Sequence, residues 1–175
     1  MIRTVLAVAI AVGLLAVAAP ALADAREGAT RTELDRIATH IERTGADLAF
    51  GSTAVADPDL TPRSVFRVTL PSGFARAPIE EATIGCRADV APKDAARQDT
   101  ETKGCELLLA SRMAEAGVET QPIPGVTLAP KSSPIELSVD GTILRLTHRR
   151  RDGRDVVELR EISPTKQNDT AEEMR

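Results

Sequence analysis

Residues 135–162 read IELSVDGTILRLTHRRRDGRDVVELREI, and this stretch decides the fold class. Ile135, Leu137 and Val139 alternate with polar residues, Asp140-Gly141 interrupts them, and Thr142 to His148 forms a second run. A period of two is the mark of a half-buried strand. Aspartate followed by glycine suits a two-residue hairpin turn, because both central positions need positive φ. Asp152-Gly153 repeats the turn signal before Val156 to Ile162. The reading is a C-terminal three-stranded antiparallel meander.

Working back from there, Ser64 to Leu70 alternates in the same way and closes on Pro71-Ser72-Gly73, which predicts another strand. Ala82 to Cys86 and Glu106 to Met113 flank a polar stretch, Arg87 to Gly104. Leu107-Leu108-Leu109 has no usable period and fits strand or short helix; the first half of that segment reads as strand. From Asp24 to about residue 50 the period changes to that of a helix. Leu34, Ile37, Ala38, Ile41 and Leu48 recur at three- and four-residue steps, and charges take the other faces. Gly45 lowers helix propensity there, and Gly51-Ser52 with Pro58 and Pro62 ends the element. The fold class is therefore α+β: an N-terminal hydrophobic segment, an amphipathic helix, then a small antiparallel β-sheet with the meander.

The organisation follows. Residues 1–23 form a signal peptide or membrane anchor, 24–50 the amphipathic helix, 64–162 a small β-rich domain making one unit with that helix, and 163–175 a disordered polar tail. Arg3 is the only charge before Asp24, and Thr4 to Ala23 is built mostly from Val, Leu, Ile and Ala. Pro20 and Ala21-Leu22-Ala23 give the helix breaker and small residues of a signal-peptidase site, so a mature chain starting at Asp24 is expected. The rival reading leaves the segment uncut, since about 20 apolar residues cross a bilayer. Either way the chain works outside the cytosol, secreted or anchored at the cell surface.

Composition excludes several activities. The net charge is -4 and there is neither Trp nor Tyr, so neither a polyanion-binding charge nor an aromatic stacking platform supports nucleic acid as a partner. The histidines, His40 and His148, stand in no metal-ligand spacing. No serine has a Gly-x-Ser-x-Gly context, and no Gly-rich phosphate loop occurs. No catalytic residue, metal or cofactor is assigned. Cys86 and Cys105 are the only cysteines, and an oxidising exterior favours their pairing over two free thiols. Asn168-Asp169-Thr170 satisfies the pattern for glycosylation at Asn168. Arg149, Arg150, Arg151 and Arg154 cluster at the second turn; they could contact anionic lipid headgroups or an acidic partner, but Asp152 and Asp155 dilute the field and favour a solvated turn. Leu34, Ile37, Ala38 and Ile41 form a stripe that must meet either the sheet or a partner.

The opening Met1-Ile2-Arg3-Thr4-Val5-Leu6-Ala7-Val8-Ala9, the small-residue exit Ala21 to Ala25, the Leu34-x-x-Ile37 helix and the strand Val65 to Leu70 resemble a family of small exported proteins of halophilic archaea. That family is uncharacterised and accompanies genes for type IV pilus-like secretion systems. The resemblance implies a pilin-like accessory protein. One departure is plain: type IV pilins carry an acidic residue near the start of the hydrophobic segment, and residues 4–23 contain none. The functional expectation is a non-enzymatic extracytoplasmic accessory protein with protein partners in a surface or secretion assembly. The alternative is a secreted small-ligand or ion-binding module using acidic loops.

Overall fold

The structure, a computed structural model, describes residues 2–87, 106–114, 116–129 and 132–162. One helix, α1 (Ile2–Gly51), runs through both the apolar segment and the amphipathic one. The boundary expected at residue 23 is not a break in it. Pro20 sits inside the helix, in the half that makes no core contacts, even though an interior proline forfeits a hydrogen bond. Farther along, Glu27 and Arg31 (3.6 Å) and Glu33 and Arg36 (2.8 Å) form the helical i,i+4 and i,i+3 ion pairs. Thr32 and Thr44 turn their hydroxyls back onto the Gly28 and His40 carbonyls, so their polar groups are satisfied within the helix.

Eight strands follow: β1 (Arg63–Val68), β2 (Ile79–Cys86), β3 (Leu107–Met113), β4 (Gly117–Pro122), β5 (Thr127–Leu128), β6 (Ile135–Glu136), β7 (Thr142–Arg151) and β8 (Arg154–Glu161). They make two four-stranded sheets, ordered β1-β7-β8-β5 and β4-β3-β2-β6. All pairings are antiparallel except β5 with β8. The α+β class stands. β3 is strand along its whole length, each residue held opposite β2, β4 or both.

The meander is not formed. β6 leaves β7 and pairs with β2, through Thr83 opposite Glu136 and Ile84 opposite Ile135. The turn at Asp140-Gly141, with Gly141 at φ 95, carries the chain from one sheet to the other instead of folding a strand back on itself. The place beside β7 goes to β1, which matches it over six residues from Arg63–Thr147 to Val68–Thr142. Alternation sets which residues point inward, but it does not choose the neighbour. A six-residue partner delivering Phe66 and Val68 displaces a two-residue one. The second turn is as expected, with Asp152 at φ 52 and Gly153 at φ 74 closing the β7-β8 hairpin.

The C-terminal half of α1 and both sheets share one core. Leu34, Ala38 and Ile41 lie in it beside Leu144, Leu146, Leu159, Ile84 and Leu109, with Ile37 and Leu48 packed against it. The stripe Leu34, Ile37, Ala38 and Ile41 is thus core in the folded chain and not a free interaction surface. The physical reason is area: each large aliphatic side chain gains about 1.5–3 kcal/mol by burial, and the sheet is close enough to supply it.

Candidate functional site

The helix changes character where it enters the domain. Before Asp24, Leu6, Leu14 and Val17 are 61, 67 and 77% exposed, and none of the most apolar window is buried. Thr30 is fully buried. Between them a collar of polar contacts grips the helix. Arg26 lays its guanidinium over the Phe74 ring at 4.5 Å. Thr30 donates to the Arg26 carbonyl and accepts the buried Ala77 N–H, both at 2.9 Å. Arg31 meets Glu119 on β4 at 3.0 Å, and Glu33 meets Arg76 at 3.0 Å. Residues 24–31 read as too polar for an interior; the structure uses that polarity to fix the angle at which the apolar half leaves the domain. Sequence carried one signal for this, the charged and hydroxyl residues facing the Phe74–Ala77 loop, but their partners lie more than 40 positions away.

At its other end the helix is latched to β7. Ser52 donates to the Leu48 carbonyl at 2.5 Å and lies 2.9 Å from Nδ1 of His148, which is buried. With the hydroxyl hydrogen given to Leu48, the serine oxygen is placed to accept from an Nδ1–H tautomer of the imidazole. The pair therefore serves as a fastening between helix end and strand. The chain beyond continues it: the Pro62 carbonyl accepts from His148 N–H and the Val55 carbonyl from Arg150 N–H. A groove of about 690 Å³ opens beside this latch, and Asp155 lines it with Phe50 and Pro124. Arg150 takes the Asp155 carboxylate at 2.9 Å; that hydrogen bond chiefly, with the Arg150 and His148 charges, holds the carboxyl below the usual aspartate range.

The other sequence-derived candidates fall as follows. His40 is exposed on α1 and stands edge-on to Phe66 at 5.3 Å. Arg149 and Arg151 reach the buried carboxylate of Glu158, at 3.6 and 3.9 Å, so part of the basic cluster is structural and not simply solvated. Cys86 ends β2 opposite Leu107, while Cys105 and Asn168 lie outside the described residues, as does the expected tail. Among the described residues no group of three or more His, Cys, Asp or Glu side chains is placed to hold a metal ion. Glu80, Glu81, Glu136 and Glu161 line a cleft of about 610 Å³ with Leu70 and Leu137.

A family model described as a domain of unknown function, DUF7311, matches residues 1–162. No curated protein and no solved structure matches the chain.

Proposed function

The chain belongs to the DUF7311 family, a domain of unknown function, and from that premise we propose that it is a non-enzymatic, extracytoplasmic accessory protein, a pilin-like component of a surface or secretion assembly held by an uncut N-terminal helix. The observation that carries the proposal is the split character of α1. Its C-terminal half is built into a folded core, while Leu6, Ile10, Val12, Leu14, Val17 and Leu22 stand exposed on the same helix. Each such side chain left in water forfeits about 1.5–3 kcal/mol, so the rod requires a bilayer or neighbouring helices around it. Twenty residues at about 1.5 Å each reach about 30 Å, the thickness of a hydrocarbon core.

Retention of the segment accords with the continuous helix. A cut before Asp24 would fall inside an unbroken helix, next to the collar that begins at Arg26. Phe74, 85% exposed beside Arg26, then sits where a domain would meet the membrane surface, a position aromatic side chains favour. The resemblance to small exported proteins of halophilic archaea encoded beside pilus-like genes agrees with this arrangement. The exterior location also favours a Cys86–Cys105 disulfide: the register sets Cys86 opposite Leu107, two positions from Cys105.

Membrane fractionation with alkaline carbonate washing, followed by intact-mass measurement, tests the proposal. Full-length protein retained in the washed membranes is expected. A product beginning at Asp24 and recovered in the soluble fraction would replace the anchor by a signal peptide. Full-length protein that is soluble and monomeric would overturn the assignment.

A further inference from the structure

Strand alternation and register together place arginines from three strands on one face. On β7 the residues Thr142, Leu144, Leu146 and His148 are buried, so Arg145, Arg149 and Arg151 point to the opposite side, away from α1 and the core. The β7-β8 register sets Arg145 directly opposite Arg160, and Arg151 directly opposite Arg154. On β1, Val65 lies opposite Arg145, with exposed Arg63 and Arg67 two positions to either side. Like charges placed directly across a strand pair destabilise a sheet. The carboxylates that meet this face are Glu158, shared by Arg149 and Arg151, and Asp152, 3.8 Å from Arg151. Among the described residues Arg63, Arg145, Arg154 and Arg160 have no ion pair, and Nε of Arg145 and Nε of Arg149 are buried without a hydrogen-bond partner. A surface that opposes its own charges in this way is relieved by an anionic partner.

The same chain carries an answering surface. Its net charge is -4, so the acids that outweigh these arginines lie elsewhere. Glu80, Glu81, Glu136 and Glu161 converge on the cleft between the sheets, and none of them is neutralised by an ion pair among the described residues. Glu161 stands opposite Leu144 on the core-facing side of β8, whereas Arg160 and Arg154 stand opposite Arg145 and Arg151 on the other side. The two patches are therefore different surfaces, and contact between them is head-to-tail. Contacts of that kind continue from copy to copy, as a ring or a filament. With neither Trp nor Tyr in the chain, the arginine face lacks a platform for stacking bases or sugars, and the unpaired glutamates of the same chain supply a carboxylate complement.

We infer that the outward arginine face of the β1-β7-β8-β5 sheet docks a second copy of this chain, receiving the acidic cleft lined by Glu80, Glu81, Glu136 and Glu161. The inference rests on the assembly reading above in one respect: copies tethered by parallel helices share an orientation that lets unlike patches meet side by side.

A charge-swap experiment on the full chain in detergent tests it, with sedimentation velocity as the readout. Arg154→Glu/Arg160→Glu puts carboxylates opposite Arg151 and Arg145, so the variant is expected to melt no lower than the parent while its self-association weakens about tenfold or more. Glu80→Arg/Glu136→Arg should weaken association similarly, and mixing the two variants should restore it. A parent chain that is monomeric at low salt, association indifferent to either reversal, or a mixture that fails to reassociate would each overturn the inference. So would loss of binding to vesicles of anionic lipid by the arginine variant with self-association unchanged, which would assign the face to a membrane. Carbonate-resistant membrane retention of these variants reports on the helix anchor alone, so failure of the docking surface and failure of the anchor are read separately.

Discussion

Gly45 offers the sharpest test of how the helix is seated. By propensity alone, replacing an interior helical glycine with alanine should stabilise by about 1 kcal/mol. In the structure a Cβ at residue 45 would lie 2.8 Å from Cγ2 of Val126 and 3.6 Å from Cγ1 of Val157. The first distance is shorter than a methyl contact permits, and valine is too short to swing clear. Overpacking of this kind costs about 1–3 kcal/mol, so Gly45→Ala should run from neutral to about 2 kcal/mol destabilising despite its better propensity. Val126→Ala removes the obstructing methyl at a cavity cost of about 1–3 kcal/mol. In the double variant the clash is gone and the propensity gain returns. Its destabilisation should fall short of the sum of the singles by about 1–3 kcal/mol. Urea unfolding of the full chain in detergent, followed by far-UV circular dichroism with the slope held constant across variants, measures all four corners of the cycle. Additivity within about 0.5 kcal/mol would show that Gly45 and Val126 do not touch, and would refute the seating of α1 described here.

Thr30→Val keeps the shape of a fully buried side chain but strands the Ala77 N–H; a loss of about 1–3 kcal/mol is expected in the same assay, with Thr30→Ser recovering most of it. Asp155 should contribute to the acid limb of the stability curve. Its carboxyl is held below the ordinary aspartate value of 3.8, chiefly by the Arg150 hydrogen bond, so its contribution is complete above that value and lost as pH falls through the lowered one. Asp155→Asn should therefore flatten the stability profile below about pH 4, and an unchanged profile there would discard the pairing. Non-reducing peptide mapping should recover Cys86 joined to Cys105; both thiols alkylating without prior reduction would remove the cross-link and the roughly 3 kcal/mol that closing such a loop contributes.

Much of the architecture is legible in the sequence. The apolar run ending at Ala23, the helical period from Leu34 to Leu48 and the alternation of β1 and β7 each announce themselves within a window of a few residues. The Asp152-Gly153 turn did too, because its positive φ values are a demand on two adjacent residues. Less was legible of the surfaces that bear on function. The collar around Thr30 was hidden because Ala77, Arg76 and Glu119 reach it from distant segments. Ser52 and His148 are 96 positions apart, and neither stands in a recognisable motif.

What the sequence by itself determined is therefore local: the period of each element, the face each residue takes, and the length of the apolar rod. Tertiary structure alone decided partnership. β6 and β1 both present alternating apolar residues, and the longer match with β7 won because pairing energy accumulates along the ladder. That choice put Val65, between Arg63 and Arg67, opposite Arg145, while the hairpin register put Arg160 on the other side. Arg63, Arg67, Arg145 and Arg160, which stand apart along the chain, join arginines of the turn cluster in one charged face, since cross-strand register is a relation between segments that no single segment contains.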